Sequence, residues 1–460
     1  MPPLQVFSRR STLAFMAGGV AAGAVPGRLH AASPGLSMTD LRGSIDAGEH
    51  GLTPGGREQS RKLGELLARA ARESVPLFLP PGNYEVSNID LPDGARITGV
   101  AGASRIVHSG GGYLFRASGA SRIELSNLVI DGASKRLGEE VGALIHMRGV
   151  KEILLGNCEI TGSQKSDIQL EACGGRIENC RISGAAEYGL YAVESSGLSI
   201  IGNTVSDCGN GGILVHRRTK GVDGTMVSGN RLSRIGASYG GTGQYGNAVN
   251  IYRADNVMVS GNHISDAAFS AIRANAASNV QIANNQCFGS GETAIYSEFG
   301  FEGALVTGNL VDGAANGISV VNFNEGGRLA VISGNLIRNI SASGPYIHDS
   351  VGFGIGISAE ADTAVTGNVI ENVPKWGMLV GWGPYLRNLA VTGNIVRRAK
   401  VGCAVSVAEG AGKALITGNL FDEVLDGAVI GYRWHDAATR ELAAGPSSFS
   451  HLTIEGNRTG

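Results

Sequence analysis

The four residues VTGN at Val306–Asn309 recur at Val365–Asn368 and Val391–Asn394. Variants such as VSGNRL, VSGNHI, ISGNLI, ITGNLF and IEGNRT occur elsewhere in the chain. The asparagine of this phrase returns ten times, at intervals of 23 to 38 residues: Asn203, Asn230, Asn262, Asn285, Asn309, Asn335, Asn368, Asn394, Asn419 and Asn457. A minimum interval with occasional longer ones is typical of a repeat protein that carries loop insertions.

Each repeat unit has the pattern of short β-strands. A β-branched run ends at Gly-Asn, an apolar residue follows two places on, and a second run begins with phrases such as GIL, AIR, AIY or GIS. Polar and apolar residues alternate over four to six positions, which indicates strands and not helices. About 23 residues accommodate three short strands and three turns. We therefore predict an all-β chain, a right-handed parallel β-helix whose coils rise by roughly 4.8 Å.

The repeated asparagine predicts a ladder inside one corner of this β-helix. Equivalent positions of successive coils lie above one another, and an amide can both donate and accept hydrogen bonds. Asparagine also tolerates the left-handed backbone conformation that a sharp corner requires, and the preceding glycine has no Cβ. In earlier coils the same column contains Cys180, Cys158 and Leu128. None of the six cysteines forms a C-x-x-C pair, so no redox or zinc motif is expected. Stacked Cys158 and Cys180 would be close enough for a disulfide, but we expect buried free thiols.

Residues 1–32 have the features of an export signal. Arg9 and Arg10 precede an apolar run, Leu13–Val25, that is too short to span a bilayer, and Ala31 and Ala32 offer small residues for cleavage. The stretch SRRSTLA resembles a twin-arginine signal, although Thr12 stands where that pattern prefers phenylalanine. We expect a periplasmic or secreted protein with no membrane segment after signal removal. The alternative is an uncleaved anchor.

The two ends of the β-helix are expected to differ. Residues 33–110 would form an N-terminal cap and the first strands, with a helix at Gly56–Arg72, and residues 111–460 would form the coils. The chain stops three residues after Asn457, and only Trp434–Ser447 could fold back over that end. We therefore expect a C-terminal coil that is either exposed or paired with a second copy as a homo-oligomer.

The N-terminal helix, the following VPLFLPPGNYEVS (Val75–Ser87) and the SGN repeats resemble the pectin-lyase-like superfamily of right-handed β-helix proteins. With the signal added, the chain resembles twin-arginine-translocated repeat proteins of unknown function with a pectate-lyase-like N-terminal module. The resemblance implies a polysaccharide partner, but this fold carries lyases, hydrolases, epimerases and binding proteins. The NTD, DD and HG motifs of polygalacturonase-like enzymes and the DPH motif of mannuronan epimerases are absent from the coils, and no aspartate cluster suggests calcium. No metal or cofactor is implied.

The charge balance does not point to another class of partner. Lys and Arg number 38 against 40 Asp and Glu, so nothing indicates binding to nucleic acid or an anionic membrane. Long insertions mark one face instead: GASYGGTGQYGN, SASGPYIHDSVGFG, RWHDAATRELAAGPSS and GASKRLGEEVG, all assigned to the corner before the GI-type strands. Such recurrence predicts walls along that face.

Alternation on the GI-type strands predicts which side chains point outward, and we take the following as the candidate site: His216, Asn250, Tyr252, Arg273, Asn275, Tyr296 and Glu298. Arg273 would act as base or, better, as carboxylate anchor, with Tyr252 or His216 taking the proton. Tyr296, Glu298, Asn275 and Asn250 would bind substrate. The alternative is an ordinary solvated strand surface, which is also polar.

This patch suits an acidic polysaccharide cleaved by β-elimination. Inverting hydrolysis needs two carboxylates about 6.5–9.5 Å apart, whereas Glu298 and Glu171 are counted as four coils, roughly 19 Å, apart. Glu302, Glu325 or Glu360 could still enter from loops. The alternative function is a non-catalytic glycan-binding or cell-envelope scaffold protein.

Replacing Arg9 and Arg10 together by lysine should leave precursor in the cytosol of a bacterium with a working twin-arginine system, because the receptor reads the arginine pair. Immunoblots of cytosolic and periplasmic fractions measure this outcome. Normal periplasmic delivery of the double variant would contradict the signal.

Overall fold

The computed structural model describes residues 43–240, 243–347, 351–445 and 449–460. The predicted twin-arginine signal at residues 1–32 lies outside these residues and stays a prediction. Among the described residues, no helix is long and apolar enough to cross a membrane.

One face of the molecule is a sheet of parallel strands, most of which precede the Asn corner. Its sixteen strands are Ile45–Asp46, Leu77–Phe78, Arg96–Thr98, Arg122–Ser126, Glu152–Gly156, Gly175–Glu178, Ser199–Ile201, Met226–Ser228, Met258–Ser260, Val280–Ala283, Glu302–Thr307, Arg328–Ser333, Ala361–Thr366, Arg387–Thr392, Ala414–Thr417 and Leu452–Glu455.

A second sheet contains the strands after that corner and those of the third side of each coil. The shorter strands are Gly82–Val86, Ile89–Asp90, Ser104–His108, Phe115–Ser118, Val129–Asp131, Ala143–Arg148, Glu159–Thr161, Ser166–Glu171, Arg181–Ser183, Tyr188–Val193, Thr204–Cys208, Arg231–Ile235, His263–Ala267, Ile272–Asn275, Leu336–Ile340, Ile355–Ala359, Asp436–Glu441 and Arg458–Thr459. Seven longer strands are Gly211–Val222, Asn247–Asp255, Gln286–Glu298, Leu310–Val320, Val369–Val380, Ile395–Ser406 and Leu420–Arg433. Two short 3-10 helices are Phe323–Glu325 and Gly383–Tyr385.

Successive coils pair in parallel and in register, for example Ile213 with Val249 and Val249 with Ile272. The inward alternate residues form one continuous apolar core along the molecule. This arrangement confirms the predicted parallel β-helix. We call the outward side of the GI-type strands, from Tyr188–Val193 to Val369–Val380, the groove face.

The N-terminal helix begins later than predicted, at Ser60, and ends at Arg72. Leu63, Leu66, Leu67 and Ala70 are buried, as the helical spacing predicts. The preceding residues form a turn because the Gln59 amide accepts from the Thr53 N–H and donates to the Thr53 carbonyl. The helix packs on the first strands and so covers the core at that end.

The predicted asparagine ladder is present in the corner between the two sheets. Asn309 shows the pattern: its Nδ2 donates to Asn335 Oδ1 at 3.0 Å and to the Ile282 carbonyl at 3.0 Å. Its Oδ1 accepts from the backbone N–H and Nδ2 of Asn285 at 2.9 and 3.0 Å. The ladder runs from Asn203 to Asn457, and each interior amide therefore satisfies the backbone of the neighbouring coils.

The left-handed corner conformation belongs to a different residue from the one predicted. Gly308 has φ 65° and Asn284, which stands in for glycine in its coil, has φ 57°. The ladder asparagines themselves do not have positive φ. The glycine before each of them relieves the steric cost, and the asparagine is selected for its amide.

In the earlier coils, cysteines occupy the column of the asparagine ladder, as predicted. Register places Leu128, Cys158 and Cys180 in line with Asn203, whose Oδ1 accepts from the Cys180 N–H at 2.9 Å. All six cysteines are free and buried. Each thiol of this column lies near a backbone carbonyl, for example Cys180 Sγ at 3.5 Å from the Leu155 oxygen.

Three of the four long insertions lie at the predicted corner, and the fourth does not. Gly132–Gly142, Gly236–Asn247 and Ser341–Gly354 all precede a strand of the third side. Arg433–Ser448 follows its strand instead, because Leu420–Arg433 runs through that corner without interruption. Within it, Asp436–Glu441 pairs antiparallel with the last long strand and covers its edge. Association through the C-terminal coil stays a prediction.

Replacing Asn309 by alanine should lower the free energy of unfolding by about 1–3 kcal/mol, because neighbouring buried backbone groups lose their partners. Asn324→Ala is the control, since Asn324 is exposed and outside the ladder. Urea unfolding measures both variants. Equal midpoints would contradict a stabilising role for the ladder.

Candidate functional site

Backbone register assembles the seven predicted site residues in two columns. Asn250, Arg273 and Tyr296 are directly paired on neighbouring strands. Two residues further along, the second column contains His216, Tyr252, Asn275 and Glu298. The alternation in the sequence therefore predicts correctly which residues share the groove face.

Several of these outward positions are buried, so the groove face is not the ordinary solvated strand surface that was the alternative. Asn250 is 2% exposed, Arg273 6% and Glu298 2%. The insertions cover them: Asn250 Nδ2 donates to the Gly243 carbonyl at 3.3 Å, and Tyr346 donates to Glu292 at 2.6 Å. The long loops thus convert a strand surface into a walled groove.

Arg273 lies at the centre of a buried ion cluster. Its Nε donates to Glu298 Oε1 at 2.6 Å and its Nη1 to Glu292 Oε2 at 3.3 Å. Asn275 Nδ2 also donates to Glu298 Oε1, at 2.9 Å, and the guanidinium lies 5.1 Å from the Tyr296 ring centre. Two buried carboxylates are therefore already paired with this guanidinium.

The electrostatics of the cluster argue against Arg273 as a base. Burial opposes its charge, but Glu298 and Glu292 together raise the pKa of Arg273 above its ordinary value. Burial raises the pKa of Glu298, and Arg273 offsets part of that rise. Arg273 thus keeps its proton and its partners. The role of carboxylate anchor stays a prediction that this geometry does not favour.

The cluster separates two clefts on the groove face. The first, which we call the tyrosine cleft, has a volume of about 360 Å³ and is lined by Tyr188, Tyr191, Leu214, His216, Gly243, Gln244, Asn250, Tyr252 and Asn275. The second, the tryptophan cleft, has a volume of about 240 Å³ and includes Tyr296, Glu292, Glu360 and Trp382 in its lining. Arg273 and Glu298 line neither cleft.

His216 is the central titratable group of the tyrosine cleft. Burial lowers the pKa of His216 to about 4, although its hydrogen bond to Asn250 opposes this shift. The contact joins Nε2 to Asn250 Oδ1 at 2.7 Å, so Nε2 carries the hydrogen and Nδ1 is the acceptor. The rings of Tyr191 and Tyr252 lie edge-on to the imidazole, 5.3 and 5.6 Å away. A neutral histidine therefore stands between two tyrosines.

Exposed cations border the tyrosine cleft. The Arg253 guanidinium lies 4.9 Å from the Tyr252 ring centre, and its Nη1 donates to the Arg218 carbonyl. Arg148 and Arg218 have side chains 72% and 68% exposed and share one carboxylate, Glu171, at 3.7 and 3.8 Å. Solvent screening makes such pairs weak. These arginines can exchange their partners for an external anion.

The sequence pattern did not identify Glu292, and it placed Glu171 and Glu298 one strand too close together. Glu292 lies just before the outward rows, at a register irregularity between Ser290 and Thr293, where alternation is not informative. Glu171 and Glu298 are five strands apart, roughly 24 Å, because the strand of Val193 intervenes. The described residues contain no group of three or more His, Cys, Asp or Glu side chains that could hold a metal ion. The expectation of no metal or cofactor stays a prediction.

Arg273→Ala should destabilise the fold by about 3–5 kcal/mol, since it leaves Glu292 and Glu298 buried without their cation. Thermal unfolding measures the loss. Arg397→Ala, which removes an exposed ion-paired arginine, is the matched control and should cost far less. An unchanged melting temperature for Arg273→Ala would contradict the structural role of the cluster.

Three solved structures with similar folds were compared. The N-terminal fragment of gene product 12 of bacteriophage phi29 is 14% identical with a TM-score of 0.53, and the match covers 90% of this chain and 70% of that one. The pre-mature gene product 12 gives 15% and 0.52, over 89% and 58% of the two chains. A PL6 alginate lyase in complex with a trisaccharide gives 13% and 0.50, over 91% and 95%. At these identities the similarity shows the fold alone.

The chain spans less than two thirds of the pre-mature phage protein. Comparison of the sequence with curated proteins gives no significant match. The profile of a family described as "Right handed beta helix region" matches residues 93–232 and 177–335. Because these matches together extend over more than half of the sequence and agree with the parallel coils of the structure, the chain belongs to the right-handed β-helix family.

Proposed function

We propose that this protein binds an acidic polysaccharide in the tyrosine cleft and cleaves it by β-elimination. The observation that carries the proposal is the combination of a tyrosine-lined cleft, a neutral histidine at its centre and exposed arginines at its border. The proposal keeps the predicted substrate class and transfers the role of carboxylate anchor from Arg273 to the border arginines.

The lining of the tyrosine cleft suits a sugar ring. Tyrosine offers an apolar ring face and a polar hydroxyl, and a pyranose likewise has an apolar face and hydroxyl edges. Tyr188 and Tyr191 are in ring contact at 5.7 Å, and Tyr252 lies across His216 from them. Asn250 and Asn275 add amide groups to the same lining. A sugar could therefore stack and form hydrogen bonds in the same place.

The border arginines suit the carboxylate of a uronate. Arg253 and Arg218 are exposed, so binding a substrate carboxylate does not require breaking a buried ion pair. Arginine can hold a carboxylate with two parallel hydrogen bonds. Neutralising that carboxylate acidifies the C5 proton, which β-elimination must remove. Arg273, in contrast, is buried between Glu298 and Glu292 and lines neither cleft.

The histidine and a tyrosine supply the proton transfers. Elimination removes the C5 proton, forms the C4–C5 double bond and breaks the C4–O bond, whose oxygen must gain a proton. Nδ1 of neutral His216 would accept the first proton, and the Tyr252 hydroxyl would donate to the leaving oxygen. Asn250 would hold the imidazole in the required tautomer through its contact with Nε2.

A non-catalytic glycan-binding function is the second candidate, and one observation favours it. Burial lowers the pKa of His216 to about 4, and a general base works best when its pKa is close to the working pH. Such a weakly basic histidine could instead contact a bound sugar without transferring a proton. The predicted export would bring either function to envelope or extracellular polysaccharides.

The proposal predicts different losses for the arginine and histidine variants. With polygalacturonate, polymannuronate and polyguluronate as probes, Arg218→Ala/Arg253→Ala should weaken binding at least about tenfold, as expected for two lost charge-assisted contacts. His216→Phe should retain binding and abolish unsaturated product. Calorimetry measures binding, and ultraviolet absorbance measures product. Arg231→Ala, an exposed arginine on a strand outside the groove face, is the control.

One outcome distinguishes the two candidate functions, and another tests the location of the site. Binding by the parent protein without product would support the non-catalytic function. Binding and turnover that are unchanged in the double arginine variant would place the site elsewhere.

A further inference from the structure

The tryptophan cleft lies on the other side of the Arg273 cluster. Its floor is formed by the next coils of the groove face, through Ser319, Ser358 and Leu379, which are paired on successive strands. Loops form its walls: the insertion that contains Tyr346, Gly352 and Phe353 on one side, and the segment of Trp382 and Tyr385 on the other. Its lining residues differ from those of the tyrosine cleft.

Charge distinguishes this compartment from the tyrosine cleft. The described residues that line it include two carboxyl groups, Glu292 and Glu360, and neither lysine nor arginine. Lys375 does not line the cleft but lies beside its wall: its ammonium donates to the carbonyl of Val351, a lining residue, and lies 4.0 Å from the Trp376 ring centre. Glu292 is already paired with Arg273, and the described lining residues offer the carboxylate of an acidic sugar no lysine or arginine.

Glu360 is a buried acid that faces this cleft. It is 8% exposed, and Oε2 accepts from the Phe323 N–H at 2.7 Å. Burial raises the pKa of Glu360 to about 7, although hydrogen bonds from Phe323 and Asn322 oppose the rise. Near neutral pH part of the population is protonated and can donate a hydrogen bond to a ligand oxygen.

The remaining polar lining consists of uncharged groups. Thr293, Asn316, Ser319 and Ser358 provide hydroxyl and amide groups along the floor. Asn322 and Asn324 add two amides at the loop that Glu360 holds. Groups of this kind match the donors and acceptors of sugar hydroxyls without requiring a charge on the ligand.

Aromatic side chains provide a platform at the C-terminal end of the cleft. The Trp382 ring lies 5.5 Å from Trp434 and 4.8 Å from His435, and Tyr385 lies 6.3 Å from Trp434. Trp434 is 44% exposed, and its backbone has φ 55°, a conformation that costs energy for a bulky residue. Trp434 lies in the turn between the paired strands Leu420–Arg433 and Asp436–Glu441, and its partly exposed indole is in contact with Trp382.

We propose that the tryptophan cleft is a second saccharide site, which binds an uncharged sugar ring against the Trp382 indole, beside Trp434, with its hydroxyls toward Glu360 and the floor. The site is distinct from the acidic-glycan site, because the Arg273 cluster intervenes. His216 and Glu360 are in one column, five strands and roughly 24 Å apart. A single chain of alternating acidic and neutral sugars could therefore occupy both clefts.

The experiment uses the tryptophans as probes. The chain has three tryptophans, and Trp376, Trp382 and Trp434 are connected by ring contacts at this cleft. Intrinsic tryptophan fluorescence therefore reports on the tryptophan cleft. Cellohexaose, laminarihexaose, maltohexaose and xylohexaose are titrated into the full chain, with a mannuronate hexamer as the charged counterpart.

At least one neutral hexaose should give a saturable change in fluorescence, and calorimetry should find its affinity reduced about tenfold or more in Trp382→Ala. Trp434→Ala, at a partly exposed position, is a second variant and should also weaken binding. Phe288→Ala, which removes a half-buried aromatic that lines neither cleft, is the matched control and should bind like the parent. Circular dichroism checks that each variant is folded.

Three results would overturn the proposal: no neutral hexaose binds, both tryptophan variants bind like the parent, or the mannuronate hexamer binds in this cleft more tightly than every neutral hexaose. The acidic-glycan function is tested with different probes and at different residues. Either proposal can therefore fail while the other stands.

Discussion

The hydrogen bonds between asparagine amides of successive coils hold the corner on which the rest of the structure depends. Each interior amide of the ladder bonds to the next amide and to backbone groups of the neighbouring coils at about the length of an ordinary hydrogen bond. A parallel sheet has no tight hairpin to set its register, so a fixed corner performs that task. Because the corner repeats without slipping, residues at equivalent positions of the groove face also stack in columns.

Stacked columns explain both the cluster and the clefts. A column brings residues far apart in sequence within one interstrand distance, as with Arg273 and Tyr296. Insertions at the preceding corner then cover part of the column and leave the remainder open. The result is a groove divided by a buried ion cluster, in which Arg273 and its two carboxylates form the partition.

The two clefts differ because their charged groups differ in exposure and in partners. Around the tyrosine cleft, arginines remain in solvent and share a single carboxylate, so an external anion can compete. In the partition, Arg273 is buried between two carboxylates. Displacing either carboxylate would leave a buried charge without its partner. Around the tryptophan cleft, the carboxyl groups have no exposed cation beside them among the described lining residues. Exposure, more than residue type, therefore determines which arginine can meet a ligand.

Sequence alone predicted the parts of this protein that repeat. The ladder, the cysteine column, the inward rows and the two outward columns all follow from a pattern in which each coil contacts only its neighbours, so local spacing determines position. Alternation could not show that Gly308, and not Asn309, adopts the left-handed conformation, since both fit a corner. It also missed Glu292, whose position follows a strand irregularity and whose contact with Tyr346 spans 54 residues.

Only the tertiary structure decided which outward residues are accessible, because the insertions do not repeat and their contacts are long-range. Arg273 is buried although its strand position points outward, and burial likewise raises the pKa of Glu360. None of these effects follows from coil-to-coil spacing.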